Sequence, residues 1–389
     1  MDDVAKPRSL SLFVFIDALG WEVVQRHGFL AGICPHRQAV ATIFGYSASC
    51  HPTIYTGLLP RDHGHFSFFI YDPPHSPFGF LGPLAWLPQS LTSRGRVRHI
   101  ISRITQRLLG YTGYFQLYNT PFALLSQLDY TEKRDLYQPG GINSGAPTIF
   151  DHLRAAGTPF HMSDWRCSDE ENFADMQRVV EQGEVAWAEL FLGSLDGLLH
   201  RVGPDGDEVA PALARYEERL EVLVAAARQR YERVRVFAYG DHGMAAVTGV
   251  VDLMGQIEGL GLTWGRDYAA VYDSTMARFW FLRPGSREAV EGLLRAHPQG
   301  RVLDDDYLRQ QGVDFPGQRY GQLYFLLDPG LLIVPSFMLA RPLAGMHGYD
   351  PLHVDSVAGL VGSEAPALKV ERLDHINHLM RHEAEQALL

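Results

Sequence analysis

Lysine is nearly missing from this 389-residue chain, which has only Lys6, Lys133 and Lys369. Basic residues number 34 against 45 acidic ones, and the net charge is −11. That balance excludes general binding to a nucleic acid polymer, which calls for a basic surface. Cysteine is as scarce. Cys34, Cys50 and Cys167 form an odd, sparse set that cannot be a disulfide framework and fits a reducing compartment. Long apolar runs are absent too, and none approaches the ~20 residues of a membrane-spanning helix. The N-terminus lacks the basic start and small-residue cleavage site of a signal peptide. It opens Met1-Asp-Asp-Val, and its apolar run ends in Asp17-Ala-Leu-Gly. These absences together predict a cytoplasmic protein.

What is present is an ordinary globular composition, 46% hydrophobic and 20% charged. Residues 10–16 read as a buried strand, an apolar run without alternation. A helix is predicted over 51–58, stopping near Gly57 and Pro60, and another over 148–156, ending at Gly157. Residues 186–194 and 234–239 read as further strands. Residues 207–231 form a long amphipathic helix with Leu213, Tyr216, Leu220, Leu223 and Val224 on one side. A terminal helix is expected within 365–388. Strands alternating with helices imply one α/β domain over 1–389, a mostly parallel central sheet covered on both faces. Residues 73–146 break the pattern. They open with Pro- and aromatic-rich sequence, continue with Arg94, Arg96, Arg98, Arg103 and Arg107 beside Ile100, Ile101, Ile104 and Leu108, and end in an aromatic run with Tyr111, Tyr114, Phe115 and Tyr118. This stretch reads as a cap inserted in the core.

Chemistry-bearing residues follow the apolar strands, where open α/β sheets place their ligands. Asp17 follows the first strand. Ser47 lies in Gly45-Tyr-Ser-Ala-Ser-Cys-His51, just ahead of a helix. Asp196 and His200 follow the 186–194 strand at a spacing of four. Asp241 and His242 follow the 234–239 strand, and His347 sits in Gly345-Met-His-Gly-Tyr-Asp-Pro351. Singly, each has a bland reading as a cap, turn or polar face. Asp62-His63-Gly64, a second Asp-His-Gly, is assigned to a loop. Together they supply oxygen and imidazole donors suited to Zn²⁺ or Mn²⁺, enough for two ions with a hydroxyl between them.

The order and types of these residues resemble the type I phosphodiesterase/nucleotide pyrophosphatase family of the alkaline phosphatase superfamily. Thr56-Gly-Leu-Leu-Pro60, nine residues after Ser47, is similar to the family's Thr-Gly-Leu-Tyr-Pro, and His51, His63-Gly64 and Tyr71-Asp-Pro73 also fit its pattern. The resemblance implies an alkaline-phosphatase-like three-layer α/β/α core. It implies one divalent ion, Zn²⁺ or Mn²⁺, held by Asp17, Ser47, Asp241 and His242, and a second held by Asp196, His200 and His347. It further implies hydrolysis of a phosphodiester or phosphoanhydride by double displacement. Ser47, in the place of the family's usual Thr, attacks phosphorus, and the phosphoserine is then hydrolysed.

The chain departs from the family at one point that bears on substrate. The phosphoryl-binding Asn expected four residues before Asp72 is Phe68, with Ser67 beside it, so either Ser67 or a cap group replaces that donor or the substrate differs from the family's nucleotides. Arg94 and Arg98 are candidates for meeting an anionic substrate. The substrate expected is a small-molecule or lipid-linked phosphoester, and a basic amphipathic helix beside an exposed Phe80/Trp86 hairpin would let 76–110 touch a membrane surface. Three rival readings share the scaffold. A phosphomonoesterase or phosphonate hydrolase would use the same fold, and a phosphomonoesterase needs an Arg near Ser47. A sulfatase needs Pro and Arg two and four residues after its nucleophile, where Ser49 and His51 stand. A non-catalytic binding protein would be expected to have lost part of the ligand set.

Overall fold

Ser9–Ile16 is apolar at almost every position and lies where such a strand must, inside a sheet. The protein is described by a computed structural model over residues 8–86 and 95–387. Six strands form the main sheet, in the spatial order His36–Val40, Ala358–Gly362, Arg233–Tyr239, Ser9–Ile16, Trp187–Leu192 and Phe160–Met162. The last four are parallel, and Ala358–Gly362 runs antiparallel to both its neighbours. The mostly parallel α/β core expected from the alternation is therefore present.

The period-two geometry of a strand sends alternate side chains to opposite faces. Leu10, Leu12, Val14 and Ile16 pack with Trp21–His27, Asp169–Gln182 and Val209–Arg230, the last burying Leu213, Tyr216, Leu220, Leu223 and Val224. Phe13 and Phe15 face the other way, into a cluster shared with Ser47–Thr56, Ile149–Ala156 and Asp374–Gln386. Local chemistry fixes the ends of these helices. Thr148 and Asp151 form a capping box at the start of Ile149–Ala156, worth about 1 kcal/mol, and Gly157 closes it in the left-handed conformation.

A second sheet of four antiparallel strands was not foreseen. Its order is Tyr268–Tyr272, Met276–Phe281, Leu323–Leu327 and Gly300–Leu303. The stretch expected to cap the core belongs with this sheet. Phe78, Leu81, Phe115, Leu117, Phe122 and Leu125 are buried in one cluster with Ala269, Phe279 and Phe325, and Leu128–Tyr130 pairs with Phe69–Tyr71. Gly79–Trp86 is a 3₁₀ segment rather than a hairpin. Asp62-His63-Gly64 is not a loop either. Pro60–His63 forms one helical turn, and its His63 is buried against Thr53 at 3.0 Å.

Arg278 anchors the second sheet to the first lobe. It is fully buried and pairs with Asp273 at 3.1 Å. Its other donors reach Ser67 Oγ at 2.7 Å and the carbonyls of Phe69 and Tyr320, both at 2.9 Å. A buried guanidinium is tolerated here because four of its five N–H donors are matched and a carboxylate balances its charge.

Candidate active site

Asp17, Asp196 and Asp241 all leave the main sheet at the carboxyl ends of parallel strands. Asp17 follows Ser9–Ile16 directly, its N–H donating to the Leu192 carbonyl at 2.9 Å. Asp196 and His200 lie on Ser194–Val202, the helix after Trp187–Leu192. One helical turn separates them and puts both on one side. Asp241 and His242 follow Arg233–Tyr239. His347 arrives from the far end of the chain on Gly345–Met346, which pairs with Ala245–Ala246 just beyond His242.

The result is two groups of donors. Ligand atoms of Asp17, Asp241 and His242 lie within 4.8 Å of one another, and so do those of Asp196, His200 and His347. The groups adjoin, since the His242 and His347 rings stack at 3.7 Å and 8°. Ser47 Oγ is 3.2 Å from His242 Nε2. Ser47 is the first residue of Ser47–Thr56 rather than ahead of it, and no side chain caps that helix. Helix N-termini leave their first N–H groups without intrahelical partners, which makes them receptive to anions.

Tyr46 and two glycines hold the turn that carries Ser47. The Tyr46 hydroxyl accepts from Thr275 N at 3.0 Å and donates to Thr275 Oγ1 at 2.7 Å, while Thr275 Oγ1 donates to the Gly348 carbonyl at 2.7 Å. One side chain thus ties Ser47 and His347 to the second sheet. Gly45 and Gly348 have φ of 127° and 84°, and a Cβ would fall 2.1 Å from Ser49 Oγ at the first and 2.3 Å from the Tyr46 ring at the second.

The donors fit divalent cations. Asp17 Oδ1, Asp196 Oδ1 and Asp241 Oδ2 are buried without a hydrogen-bond partner, a costly state for a carboxylate that a bound cation would relieve. His200 Nδ1 donates to the Gly345 carbonyl at 2.9 Å and His242 Nδ1 to the Gly243 carbonyl at 3.0 Å. Each bond leaves the Nε2 lone pair turned to the carboxylates, the arrangement that orients metal-binding imidazoles. Burial, and then the charges of Asp241, Asp196 and Asp169, push the Asp17 carboxyl well above its usual range. Burial, and then neighbouring His242, hold His347 well below the ordinary imidazole value.

A cavity of about 560 Å³ opens over these groups. Of the residues singled out from sequence, Asp17, Ser47, Ser67, Phe68, Asp196, His200 and His347 line it. Ser67 does so with its single proton committed, because Oγ donates to Asp273 at 3.0 Å while accepting from Arg278. It therefore cannot also donate to a phosphoryl oxygen. Phe68 packs against Tyr114 and Tyr118, with centroids at 5.4 and 5.6 Å. Arg98 does not reach the cavity. It is buried under its own helix, donating to the Thr120 carbonyl at 2.7 Å and lying 4.0 Å over the Phe122 ring. Arg94 lies outside the described residues.

The cavity wall also holds residues that the sequence did not single out for this site. Arg134 is the one permanently charged cation of the described lining, and Glu132 is a buried carboxyl. Tyr137 accepts or donates at 3.1 Å to His51 Nδ1, and His51 Nε2 stands 3.5 Å from Asp241 Oδ2. Glu132 and Arg134 fall in Tyr130-Thr-Glu-Lys-Arg-Asp135, which reads as a plain charged turn. Only His51 carried a signal, its place in the motif after Ser47.

Comparison with known proteins follows the same lines. No curated protein matches the chain in sequence. Human ectonucleotide pyrophosphatase/phosphodiesterase 5 shares the fold, at 16% identity and a TM-score of 0.67 over 96% of this chain and 94% of that one. The murine protein of that name, solved as an inactive form in complex with AMP, does so at 17% identity and 0.66 over 97% and 95%. The type I phosphodiesterase/nucleotide pyrophosphatase profile matches residues 124–350, more than half of the chain. With the alkaline-phosphatase-type fold around it, that match places the chain in the type I phosphodiesterase/nucleotide pyrophosphatase family, and the protein is a hydrolase of phosphodiester bonds.

Proposed function

We propose that the protein cleaves a phosphodiester or phosphoanhydride of a small organic molecule through a phosphoserine formed on Ser47. Asp17, Ser47, Asp241 and His242 would hold one divalent ion, and Asp196, His200 and His347 a second, with Zn²⁺ or Mn²⁺ suited to these oxygen and imidazole donors. The observation that carries this reading is the pair of adjoining donor groups with Ser47 Oγ beside them. Bound ions would supply Lewis acidity, favouring ionised oxygen and offsetting charge on the phosphoryl group.

The chain's own residues do the rest. The N-terminus of Ser47–Thr56 directs N–H groups at the phosphoryl oxygens. Ser47 Oγ bonds to phosphorus as the bond to the leaving oxygen breaks, and the Ser47 hydroxyl proton passes to that oxygen. Water then adds to phosphorus, the serine–phosphorus bond breaks, and a proton of that water passes to Ser47 Oγ. Phe68, Tyr114 and Tyr118 offer stacking faces for a ring-bearing leaving group. The complex of the murine relative with AMP supports a substrate of nucleotide size. Residues 1–389 read as one catalytic domain, with 73–146 supplying the Tyr114, Tyr118 and Glu132 wall.

Replacing Ser47 by alanine should abolish turnover of bis-p-nitrophenyl phosphate while bound metal, measured by elemental analysis, stays within one ion of the wild-type count. Undiminished turnover would remove Ser47 from the chemistry. Arg134 in the cavity wall favours one rival, a phosphomonoesterase, because a guanidinium suits a doubly charged phosphate. Comparing aryl diester and aryl monoester rates separates the two, and a strong monoester preference would overturn the leading reading.

A further inference from the structure

From Pro73 to Leu128 the chain contains five arginines and not one aspartate or glutamate. The remainder therefore carries −16 against −11 for the whole. Within that stretch the helix Gly95–Leu109 packs Ile101 and Leu109 against the core but turns other apolar residues outward. Its buried residues are Arg98, Ser102 and Thr105. Its exposed ones include Ile100, Ile104 and Leu108, at 58%, 53% and 69%. A spacing of four sets these three in one line along the helix. Arg96, Arg103 and Arg107, all exposed, run beside that line. Phe80 and Trp86, in the same acid-free stretch, are 48% and 91% exposed.

Single exposed apolar residues need no explanation, but an aligned set flanked by one sign of charge marks a contact surface. Nothing in the described residues is long and apolar enough to cross a membrane, so the contact is with a surface. The charge selects the partner. This face is basic on an otherwise acidic protein, so it complements an anionic layer that also accepts apolar side chains.

We propose that Gly95–Leu109 lays its exposed face on an anionic lipid bilayer, with Ile100, Ile104 and Leu108 entering the headgroup region and Arg96, Arg103 and Arg107 meeting lipid phosphates. Besides the Arg98 bond to the Thr120 carbonyl, two further side-chain hydrogen bonds tie this helix to residues 113–120. Ser102 Oγ accepts from Leu117 N at 3.0 Å, and Gln106 Nε2 donates to the Gly113 carbonyl at 2.9 Å. The segment so held carries Tyr114 and Tyr118 into the cavity wall. Docking therefore brings the cavity to the lipid surface and makes a lipid-linked phosphoester an accessible substrate class. That extension rests on the phosphodiesterase reading, whereas the docking does not.

The test is co-sedimentation of the full-length protein with vesicles of phosphatidylglycerol and phosphatidylcholine, or of phosphatidylcholine alone. The wild type should pellet with the anionic vesicles only, and less at high salt. Each arginine near such a surface contributes about fivefold in partitioning, so R103E/R107E should weaken binding at least about 25-fold. I104D/L108D should abolish it. Both pairs lie outside the catalytic cavity, so wild-type melting temperature and wild-type turnover of the soluble aryl diester establish that they fold. Negligible pelleting of the wild type with both vesicle types overturns the proposal, as does undiminished pelleting of the variants. If the free wild type sediments as a dimer and I104D/L108D as a monomer, without vesicle binding by either, the face is an interface between copies and the proposal fails. Loss of diester turnover with intact vesicle binding would strike the phosphodiesterase reading and leave the docking standing.

Discussion

Replacing Glu132 by glutamine removes a buried proton site while keeping the shape of the cavity wall. Glu132 is 5% exposed, and its Oε1 has no hydrogen-bond partner. Burial pushes its carboxyl from 4.5 up to about 8. The unfolded chain releases that proton near the lower value, so between the two the folded protein holds a proton that the unfolded one lacks. Folding stability is then fully present below about pH 4.5 and is lost as pH rises towards 8, at about 1.4 kcal/mol per pH unit. The cost is under about 1 kcal/mol at pH 5, about 3 kcal/mol at pH 7 and about 4 kcal/mol at pH 8. Glutamine does not titrate, so E132Q should gain on the wild type by roughly 3 kcal/mol between pH 5 and pH 8. Urea unfolding followed by tryptophan fluorescence at several pH values measures that gain. Glu189, which burial raises to about 7, titrates in both proteins and cancels. A difference between variant and wild type that stays flat from pH 5 to pH 8 would refute a buried, unpaired carboxyl at this position.

Three further outcomes test the framework. Asp241→Asn should cut bound metal and turnover of the aryl diester together, by at least tenfold in turnover, since Asp241 has no exposure and joins His242 to Asp17. Full metal content in that variant would remove Asp241 from the donor set. Gly45→Ala should destabilise the protein by at least about 2 kcal/mol in urea unfolding, because the left-handed backbone and the contact at 2.1 Å to Ser49 Oγ both oppose a Cβ. Unchanged stability would show that the turn before Ser47 can relax. Arg278→Met should cost about 3–5 kcal/mol by stranding the Asp273 carboxylate, and the double variant with Asp273→Asn should recover part of the loss. Equal loss in single and double variants would deny the pair its coupling.

Much of the first sheet and the donor groups at its carboxyl edge could be read directly, because an apolar strand followed by an acid is a local pattern. Asp17, Asp196 and Asp241 each sit within four residues of such a strand. The second sheet was hidden for a physical reason. Tyr268–Tyr272 and Leu323–Leu327 are apolar runs of only five residues, which pattern alone does not separate from a buried stretch of helix. Side-chain commitments were equally hidden. Ser67 stands beside the expected donor position, but its proton is taken by Asp273, and its lone pair by Arg278, 211 residues away. Arg98 looks like exposed Arg96 in sequence, yet the step of two residues from one to the other is more than half a helical turn and sends it under the helix to Phe122.

The donor set draws on nearly the whole length of the chain, from Asp17 to His347, and the strand Ala358–Gly362 must slot between His36–Val40 and Arg233–Tyr239 to complete the sheet. A nascent chain still lacking its last fifty residues has neither that strand nor His347. The site therefore cannot mature during synthesis in step with the first strand. It closes only when the C-terminal segment pairs with Arg233–Tyr239 on one side and His36–Val40 on the other, a long-range and correspondingly slow event. Capture of a cation by these donors would then be a late checkpoint that pulls the completed protein away from its partly assembled forms, its strength tracking the stability of the entire domain rather than that of any loop.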